Sequence, residues 1–423
     1  MTTEQIAGGS IDEFRAQVTR DYDPYSGNTI AEQLADLADR RERCPVSYST
    51  LGKGFWVLTR YDDVSSVLRK SGRGVVSHPN DPLGENSNGA QNKLIPIELD
   101  GAEHRAFRTM LDPAFSPARV AELEEGLVKA ANDLIDQFIE DGHCDFIDGF
   151  ALPFPGATVM LIMGWPLEDL PQLYRWADAI MHPRMDLSPE DALAARGAAH
   201  VALREYLLDL ITRRRTEHAE GNVRDDVTSR AIEAEVDGAR LTDDQLFDIF
   251  MLMVLAGLDT VQSVLAQSMV HFADHPEKWA EMFAEPGNLE AAVEELVRWS
   301  APPVPTRTIT AEKLSVGGVD LPEGERVHFA LAAANRDPKY YPNPDEIDFH
   351  RDAKPHLGFG LGAHRCLGVH LARLELKIGF TELHRRIPRF ELDLSHPLTE
   401  QLGLAWGVAG VHLTFSPGPR ENS

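Results

Sequence analysis

The sequence predicts a mainly α-helical protein that also contains small β-sheets, an α+β fold. Apolar residues recur at helical spacing from residue 119 to residue 235 and again from residue 243 to residue 275. Short runs of alternating or β-branched residues, bounded by Gly and Pro, lie near residues 54–59 and 314–331 and after residue 388. With 423 residues, 43% of them hydrophobic, the chain can bury a large core.

No linker, internal repeat or low-complexity tract divides the chain, so we predict one domain over residues 1–423. Residues 1–20 are predicted to form a flexible N-terminal tail. The formal net charge of −26 disfavours nucleic acid as a partner, because phosphate binding needs a basic surface. Three isolated cysteines, a polar N-terminus and apolar runs too short to span a bilayer predict no membrane association and a cytoplasmic location.

The first third of the chain predicts a short strand at residues 54–59, a long polar loop at residues 77–93 and a helix that begins near Asp100. His104 and Arg108 are four residues apart, so they share one face of that helix and can hold a carboxylate together. The alternative is an exposed, charged start of a helix.

Residues 119–235 predict helices that end or begin where Pro occurs, as at Pro153 and Pro183. The cationic run Arg213–Arg215 is interpreted as a solvated helix end, where positive charge suits the helix dipole.

A long central helix is predicted to begin after Thr242, which forms a capping box with Gln245, and to end near His275, before a proline. Its length would be roughly 45–50 Å at 1.5 Å per residue, and it is apolar almost all round, so it should be buried. Asp259 and Thr260 interrupt this apolar surface. Polar groups in a buried helix are costly without partners, which favours a functional site. The alternative is a helix kink at which Thr260 bonds back to the main chain.

Two further features precede the C-terminal region. Glu295 and Arg298 lie three residues apart on a predicted helix and can form an ion pair. The segment Pro302–Pro305 predicts an extended chain that ends at Arg307.

The segment Phe359–Gly368, with the sequence FGLGAHRCLG, is centred on Cys366. Its glycines allow tight turns and close approach to a flat object, and apolar residues at helical spacing follow directly. A cysteine at a helix N-terminus is predicted to have a lowered pKa and to favour the thiolate. A thiolate on such a loop is typical of an axial ligand to haem iron. A nucleotide-binding loop is disfavoured because the third glycine is misplaced, and a zinc site would need more ligands.

These motifs, in this order, resemble those of the cytochrome P450 family. The segment from Phe359 to Gly368 matches the family pattern Phe-Gly-x-Gly-x-His-x-Cys-x-Gly at every fixed position. Ala256–Thr260 resembles the family's oxygen-binding stretch, and Glu295 with Arg298 resembles its Glu-x-x-Arg motif. The resemblance covers roughly residues 22–415 and is nearest to the soluble bacterial class, in pattern to the camphor-hydroxylase group. Arg351 stands where the family's third network residue is expected, without its usual flanking Pro and Phe.

The resemblance implies a P450 fold, with the long central helix lying over heme b (iron protoporphyrin IX). Cys366 would be the proximal ligand, Phe359 would shield it, and backbone N–H groups of the turn at Gly368 would moderate its charge. Asp259 and Thr260 would deliver protons, beside Ala256 at the cofactor. The side chains that would hold the two haem propionates are those of His104, Arg108, Arg307 and His364.

The resemblance also implies monooxygenation with O2 and two electrons from a ferredoxin and its ferredoxin reductase. The partner would dock near Cys366 on a basic patch formed by Arg105, Arg365, Arg373, Arg385 and Arg386. The substrate would be a small to mid-sized hydrophobic molecule, with a terpenoid favoured, that is hydroxylated or O-dealkylated. The pocket would include Met181, Leu252, Leu255, Ala256, Pro303 and Val304.

Two alternatives carry different functions. A peroxide-driven peroxygenase would also bind haem, but such enzymes tend to lack the acid–hydroxyl pair seen at Asp259 and Thr260. A non-catalytic haem-binding sensor would normally carry an output domain, and none is evident in the sequence.

Overall fold

The computed structural model describes residues 11–24, 29–77, 93–182, 187–300, 306–352, 355–402 and 405–421. Helices dominate these ranges, and the strands are short, so the predicted mainly α fold with small sheets is confirmed. The α-helices are α1 (Ile11–Val18), α2 (Ile30–Arg43), α3 (Tyr61–Leu68), α4 (Gly101–Leu111), α5 (Pro117–Ala121), α6 (Glu124–Ile135), α7 (Pro153–Met163), α8 (Leu170–Met181), α9 (Pro189–Ala219), α10 (Val227–Glu233), α11 (Asp243–Asp274), α12 (Pro276–Glu281), α13 (Asn288–Ser300), α14 (Leu331–Ala334) and α15 (Val369–Arg386).

The strands form one five-stranded sheet and several smaller ones. The five-stranded sheet has the order β1-β2-β10-β7-β3, a second sheet has the order β11-β14-β4, and three strand pairs join β5 to β6, β8 to β9 and β12 to β13. The strands are β1 (Val46–Ser49), β2 (Phe55–Leu58), β3 (Val75–Ser77), β4 (His143–Asp145), β5 (Glu235–Val236), β6 (Ala239–Arg240), β7 (Thr306–Thr310), β8 (Leu314–Val316), β9 (Val319–Leu321), β10 (Arg326–Phe329), β11 (Phe390–Leu392), β12 (Thr399–Gln401), β13 (Gly407–Ala409) and β14 (His412–Phe415).

The large sheet mixes two kinds of pairing. β2 pairs antiparallel with β1, placing Trp56 opposite Tyr48, and parallel with β10, placing Trp56 opposite Val327. All four residues of β2 are buried, and its two faces contribute to two different apolar clusters, with Trp56 and Leu58 in one and Phe55 and Val57 in the other. The strand predicted at residues 54–59 is therefore confirmed.

Helix α11 is the long central helix of the fold, and most of its residues are buried. The Thr242 hydroxyl accepts the Gln245 N–H, the Gln245 side chain accepts the Thr242 N–H, and the helix ends at Asp274 with His275 as its C-cap. Its 32 residues span roughly 48 Å, which confirms the predicted helix. Although α11 is apolar and long enough to cross a bilayer, 72% of its most apolar window is buried within the described protein, as expected of a core helix.

Two large apolar clusters meet along α11. Leu255 and Leu258 belong to a cluster shared with α8 and α9, whereas Val264 and Leu265 belong to one shared with α6 and α15. Gly257 allows α7 to approach closely, because a Cβ atom at this position would lie 2.4 Å from Cγ2 of Val159. The middle of α11 is thus fixed from several sides.

The prediction of a flexible tail over residues 1–20 is wrong for its second half. Residues 11–18 form α1, the Phe14 ring stacks on Trp56 with centroids 6.1 Å apart, and Val18 is buried. An aromatic anchor on the large sheet gives this short helix the packing that its sequence alone does not reveal. Residues 1–10 lie outside the described ranges.

The interpretation of Arg213–Arg215 as a solvated helix end is wrong for Arg214. This side chain is buried and donates to both carboxylate oxygens of Asp226, at 2.8 and 2.6 Å, and to the Gly164 carbonyl. A buried cation is retained only when it is paired in this way.

Candidate active site

The cysteine loop is held in shape by its glycines and by a hydrogen bond across its base. Gly360 and Gly362 have φ angles of 66° and 78°, a region that favours glycine. The Cys366 N–H donates to the Phe359 carbonyl at 2.8 Å. Gly362 is also confined from outside, because a Cβ atom there would lie 2.5 Å from the Leu68 carbonyl oxygen at the end of α3.

The Cys366 thiol lies on an accessible side chain, yet dense protein surrounds it on other sides. This burial raises the pKa of the Cys366 thiol, although the Gly368 N–H and the charges of Arg108 and Arg365 act in the opposite direction. The predicted lowering of the pKa is therefore wrong for the free thiol. Helix α15 begins only at Val369, beyond the cysteine, so the helix end is too weak to overcome desolvation. A thiol that binds a metal is deprotonated regardless.

Phe359 is fixed by an ion-pair cluster behind the loop. The Arg373 guanidinium lies 5.0 Å from the centre of the Phe359 ring and donates to both Glu294 oxygens, at 2.5 and 2.7 Å. His356 approaches Glu294 at 3.3 Å, and these partners lower the pKa of the Glu294 carboxyl to about 2 despite its burial. The Arg373–Glu294 pair therefore holds the Phe359 ring in position near Cys366.

His104 and His364 come together as the sequence predicts, with ring centroids 4.1 Å apart. His364 Nε2 lies 3.2 Å from Oδ1 of Asp100 and 3.4 Å from the Ser77 hydroxyl. Burial, with the neighbouring cations, lowers the pKa of His104 to about 4, so this ring is neutral at pH 7. The sequence argument missed Asp100, whose role as a partner depends on a contact 264 residues away along the chain.

Arg108 lies beside the loop but already has protein partners. Its Nε donates to Asp112 at 2.8 Å, and its Nη1 donates to the Arg365 carbonyl at 2.8 Å. These bonds join α4 to the cysteine loop, and no described residue accepts from Nη2. Arg307 lies on β7, and its side chain is outside the described part of the structure.

The middle of α11 has an open face. Ala256 is exposed, and Met253, Gly257 and Thr260 are partly exposed, although the helix is otherwise mostly buried. The Thr260 hydroxyl donates to the Ala256 carbonyl at 3.2 Å, so the back-bonding expected of a structural threonine is present at this exposed position. Helix α11 also packs against α15, the helix that follows Cys366.

Asp259 is buried beside this face and has a partner that the sequence argument missed. His182 Nε2 lies 3.3 Å from Asp259 Oδ2, and His182 Nδ1 lies 2.9 Å from Asp178 Oδ1. The contact with Asp259 is an ion pair without good hydrogen-bond alignment, and within the described ranges no well-aligned donor reaches Asp259 Oδ2. His182 ends α8, and only the packing of α8 on α11 brings it to Asp259, so no local sequence signal marks the pair.

The structure describes some, but not all, of the residues predicted to line the substrate pocket. Leu252 and Leu255 are largely buried in α11, and Met181 at the end of α8 is partly buried and packs against the cluster that contains Leu255. Pro303 and Val304 lie outside the described residues, as does most of the loop predicted at residues 77–93.

Glu295 and Arg298 form the centre of a buried network. Arg298 donates from Nε and Nη2 to the two Glu295 oxygens, each at 2.7 Å, and also to the carbonyls of Asn335 and Pro344. Arg351 Nε donates to Glu295 Oε1 at 3.0 Å, so Arg351 completes the three-membered network. A bidentate pair with every remaining donor occupied fixes the irregular segment that leads into the cysteine loop.

The basic patch predicted near Cys366 is wrong in part. Arg385 pairs with Glu382 and Glu421, Arg386 is buried against Asp136, and Arg373 is occupied by Glu294. Arg105 and Arg365 are exposed. Arg69 is exposed as well, and its Cα would lie 3.4 Å from a Cβ atom at Gly362, so this cation is close to the loop. Except for Glu382, the acidic partners that neutralise these arginines lie far away in the sequence or on other elements, so the sequence alone does not predict the pairing.

The residues present fit the haem group that the sequence predicts. Cys366 offers an accessible sulfur on a loop of small residues, and α11 exposes Ala256 and Gly257, which leave room for a flat ring.

Comparisons with known proteins assign the chain to a family. A family model described as cytochrome P450 matches residues 172–407. The cyclomarin C epoxidase of Salinispora arenicola is 33% identical over 84% of this chain and 89% of its own length. The vitamin D(3) 25-hydroxylase of Pseudonocardia autotrophica is 30% identical over 94% and 98%. The solved structure of CYP101J2 is similar with a TM-score of 0.81 and 28% identity, covering 96% of this chain and 99% of that one.

Proposed function

Because this chain belongs to the cytochrome P450 family and is a P450 monooxygenase that binds heme b, we propose that it oxidises a small to mid-sized hydrophobic molecule. The observation that carries this proposal is the pairing of an accessible Cys366 on its glycine loop with the open face of α11 beside Asp259 and Thr260. The reaction would be hydroxylation or O-dealkylation in a cytoplasmic enzyme.

The haem, when bound, supplies oxygen activation that consumes two electrons and two protons and releases one oxygen atom as water. Cys366 would hold the iron, and the Gly368 N–H would donate to its sulfur. Phe359, backed by Arg373, would keep water from the sulfur. The propionate carboxylates would be held by His364, by Arg108 through its remaining N–H groups, and by His104 and Arg307.

Asp259 and Thr260 would supply the protons. Asp259 is buried, and Thr260 is exposed to the open face, so the two neighbours join an interior acid to the surface where oxygen would bind. The acid and the hydroxyl at Asp259 and Thr260 lie within an apolar stretch of α11, which excludes bulk water while they provide a donor.

The substrate pocket would be apolar. Leu252, Leu255 and Met181 carry no charge and would line the pocket beside the open face, which favours a hydrophobic substrate. A terpenoid is the class to screen first, following the resemblance to camphor hydroxylases. The names of the relatives, which refer to cyclomarin C and vitamin D(3), widen the screen to larger hydrophobic molecules.

The electron donor would be a ferredoxin with its reductase. In a chain of charge −26, the exposed cations Arg69, Arg105 and Arg365 near the loop offer a positive surface to an acidic partner. This corrected patch replaces the one predicted from sequence.

The proposal is tested by turnover of the haem-loaded enzyme. Candidate substrates are selected by the spin-state change that they cause in the absorption spectrum. Each is then supplied with ferredoxin, reductase and a nicotinamide donor, or with hydrogen peroxide alone. We expect oxygenated product only with the electron donors and O2. Product formed at equal rates with peroxide alone would instead identify a peroxygenase.

A further inference from the structure

His182 connects the protein surface to the buried acid on α11. Its Nδ1 lies 2.9 Å from Oδ1 of Asp178 and its Nε2 lies 3.3 Å from Oδ2 of Asp259. The exposed fractions of the three side chains decrease inward, from 43% for Asp178 to 20% for His182 and 9% for Asp259. One imidazole ring therefore spans the distance between a solvated carboxylate and a buried one.

We propose that His182 is a proton-relay residue that carries protons from solvent at Asp178 to Asp259. The proposal rests on the proposed function, in which Asp259 and Thr260 supply protons to the reaction. It adds the route by which Asp259 receives them.

The transfer balances without any further reactant. A small rotation of the His182 imidazolium aligns its Nε2–H with the Asp259 carboxylate, which accepts the proton and passes a proton on toward Thr260. The neutral imidazole keeps its Nδ1 proton, so the ring turns to bring the vacant Nε2 to solvent beside the exposed Asp178, takes up a proton there and turns back. An imidazole suits this task because its two nitrogens can face different partners, and here they do.

The neighbouring carboxylates keep the His182 ring protonated at neutral pH. Burial alone would lower the pKa of His182, but the adjoining carboxylates of Asp178 and Asp259 outweigh it and raise the pKa to about 10. Among the described residues, Tyr174 is a further titratable group near these carboxylates, and burial raises the pKa of its phenol well above its usual value, so it stays neutral. His182 is thus cationic throughout the physiological range.

A purely structural role is the competing explanation, since an ion pair between α8 and α11 would also hold Asp259 in place. The two roles separate in the His182→Gln variant. Glutamine retains a hydrogen-bonding side chain of similar length but cannot relay a proton. Because glutamine also removes the positive charge, a structural loss is recognised by an unchanged pH profile and an unchanged D2O effect, whereas loss of a relay alters both.

The experiment uses the holoenzyme and a substrate found by the spin-state screen. The variants His182→Gln and Asp178→Asn test the relay, and Asp259→Asn and Thr260→Ala test the proton supply that it would feed. All four are compared with the wild type. The matched control is His200→Gln, a histidine on α9 that contacts Phe247 instead of a carboxylate. The measured quantities are product formed per electron consumed, its pH profile and the effect of D2O on turnover. The protonation of His182 is read independently by ¹⁵N NMR of the diamagnetic carbon monoxide complex.

We expect His182→Gln to lower the product rate about tenfold or more, to enlarge the effect of D2O and to change the pH profile, while His200→Gln matches wild type. The NMR signal of the wild type should show a doubly protonated His182 ring at pH 8. In Asp259→Asn the pKa of His182 should be lower, so the ring should lose its second proton at a lower pH than in the wild type.

Three results would overturn the relay. If Asp259→Asn impairs turnover but His182→Gln matches wild type, the relay is wrong and the proposed role of Asp259 stands. If His182→Gln lowers turnover with the pH profile and the D2O effect unchanged, His182 only holds Asp259 in position. If Asp259→Asn and Thr260→Ala both match wild type, the proposed proton supply fails, and the relay fails with it.

Discussion

Glu375 shows how much a single buried side chain can affect the stability of this protein. It lies on α15, nine residues beyond Cys366, and is almost inaccessible to solvent. Burial raises the pKa of Glu375 from its ordinary value of 4.5 to about 8, although a side-chain interaction with Thr158 opposes this shift. The side chain is therefore a neutral carboxylic acid at pH 7, whereas most glutamate side chains are ionised at this pH.

We predict that Glu375→Gln stabilises the folded protein at high pH. Between about pH 4.5 and pH 8 the folded protein keeps a proton that the unfolded chain has released, so the stability of the wild type falls as pH rises through this window. Glutamine removes that loss while keeping the shape. Urea unfolding at pH 5 and pH 9 should show little difference at pH 5 and a gain on the order of a few kcal/mol at pH 9. A variant that is equally destabilised at both pH values would show that Glu375 is ionised in the fold.

At this scale the sequence predicted residue types better than residue environments. Cys366, His104, His364 and Asp259 could be selected from motifs, because chemistry-bearing residues stand out against glycine or apolar neighbours. Their partners could not be selected, since Asp100 and His182 meet them only through packing. The sign of the pKa change at Cys366 was wrong for the same reason, because desolvation depends on the whole surrounding structure.

Helices α7 and α11 depend on each other where Gly257 meets Val159. A Cβ atom at Gly257 would lie 2.4 Å from Cγ2 of Val159, too close for any real pair of carbon atoms. Valine is β-branched and stiff, so it cannot rotate away freely. The open face of α11 is at the same level of the helix, which makes this contact a determinant of the site as well as of the fold.

We predict that Gly257→Ala destabilises the protein by about 1–2 kcal/mol, even though alanine favours helices by about 1 kcal/mol over glycine. Val159→Ala should relieve the clash, so the double variant should be more stable than the sum of the single variants predicts. Urea unfolding of the four proteins measures this coupling. Additive effects would mean that the helices separate without strain and that Gly257 serves another purpose.

The elements themselves were predictable where local signals are strong. The capping box at Thr242 and the proline after His275 marked both ends of α11, and the short strands were marked by their turns. The early helix α1 was not, because an eight-residue helix is stabilised by the stacking of Phe14 on Trp56 and not by its own sequence.

The distribution of charge over the whole molecule bears on partner choice. The net charge is −26, and several cations that appear available in the sequence are neutralised in the fold by Glu294, Asp136 and Glu421. Exposed cations remain near the cysteine loop, at Arg69, Arg105 and Arg365. A small positive area on an acidic molecule orients an acidic partner strongly.

We predict that the double variant Arg105→Glu/Arg365→Glu weakens electron transfer from ferredoxin roughly tenfold at low salt, with the difference shrinking as salt increases. The rate of haem reduction measured by stopped flow tests this prediction. Arg43→Glu is the matched control, because Arg43 is also exposed but lies on α2, which packs against β1 and α14. Equal loss in the control would point to net charge alone, and no loss in the double variant would place the docking surface elsewhere.

The proposed activity depends on Cys366 as a thiolate ligand to haem iron. The most direct measurement is the absorption spectrum of the purified haem-loaded protein, reduced under carbon monoxide. We predict a Soret band at the long-wavelength position that is characteristic of a thiolate-ligated carbonyl haem, and its loss in Cys366→Ala. A Soret band at the position of a histidine- or thiol-ligated haem in the wild type, or an unchanged spectrum in Cys366→Ala, would contradict the account.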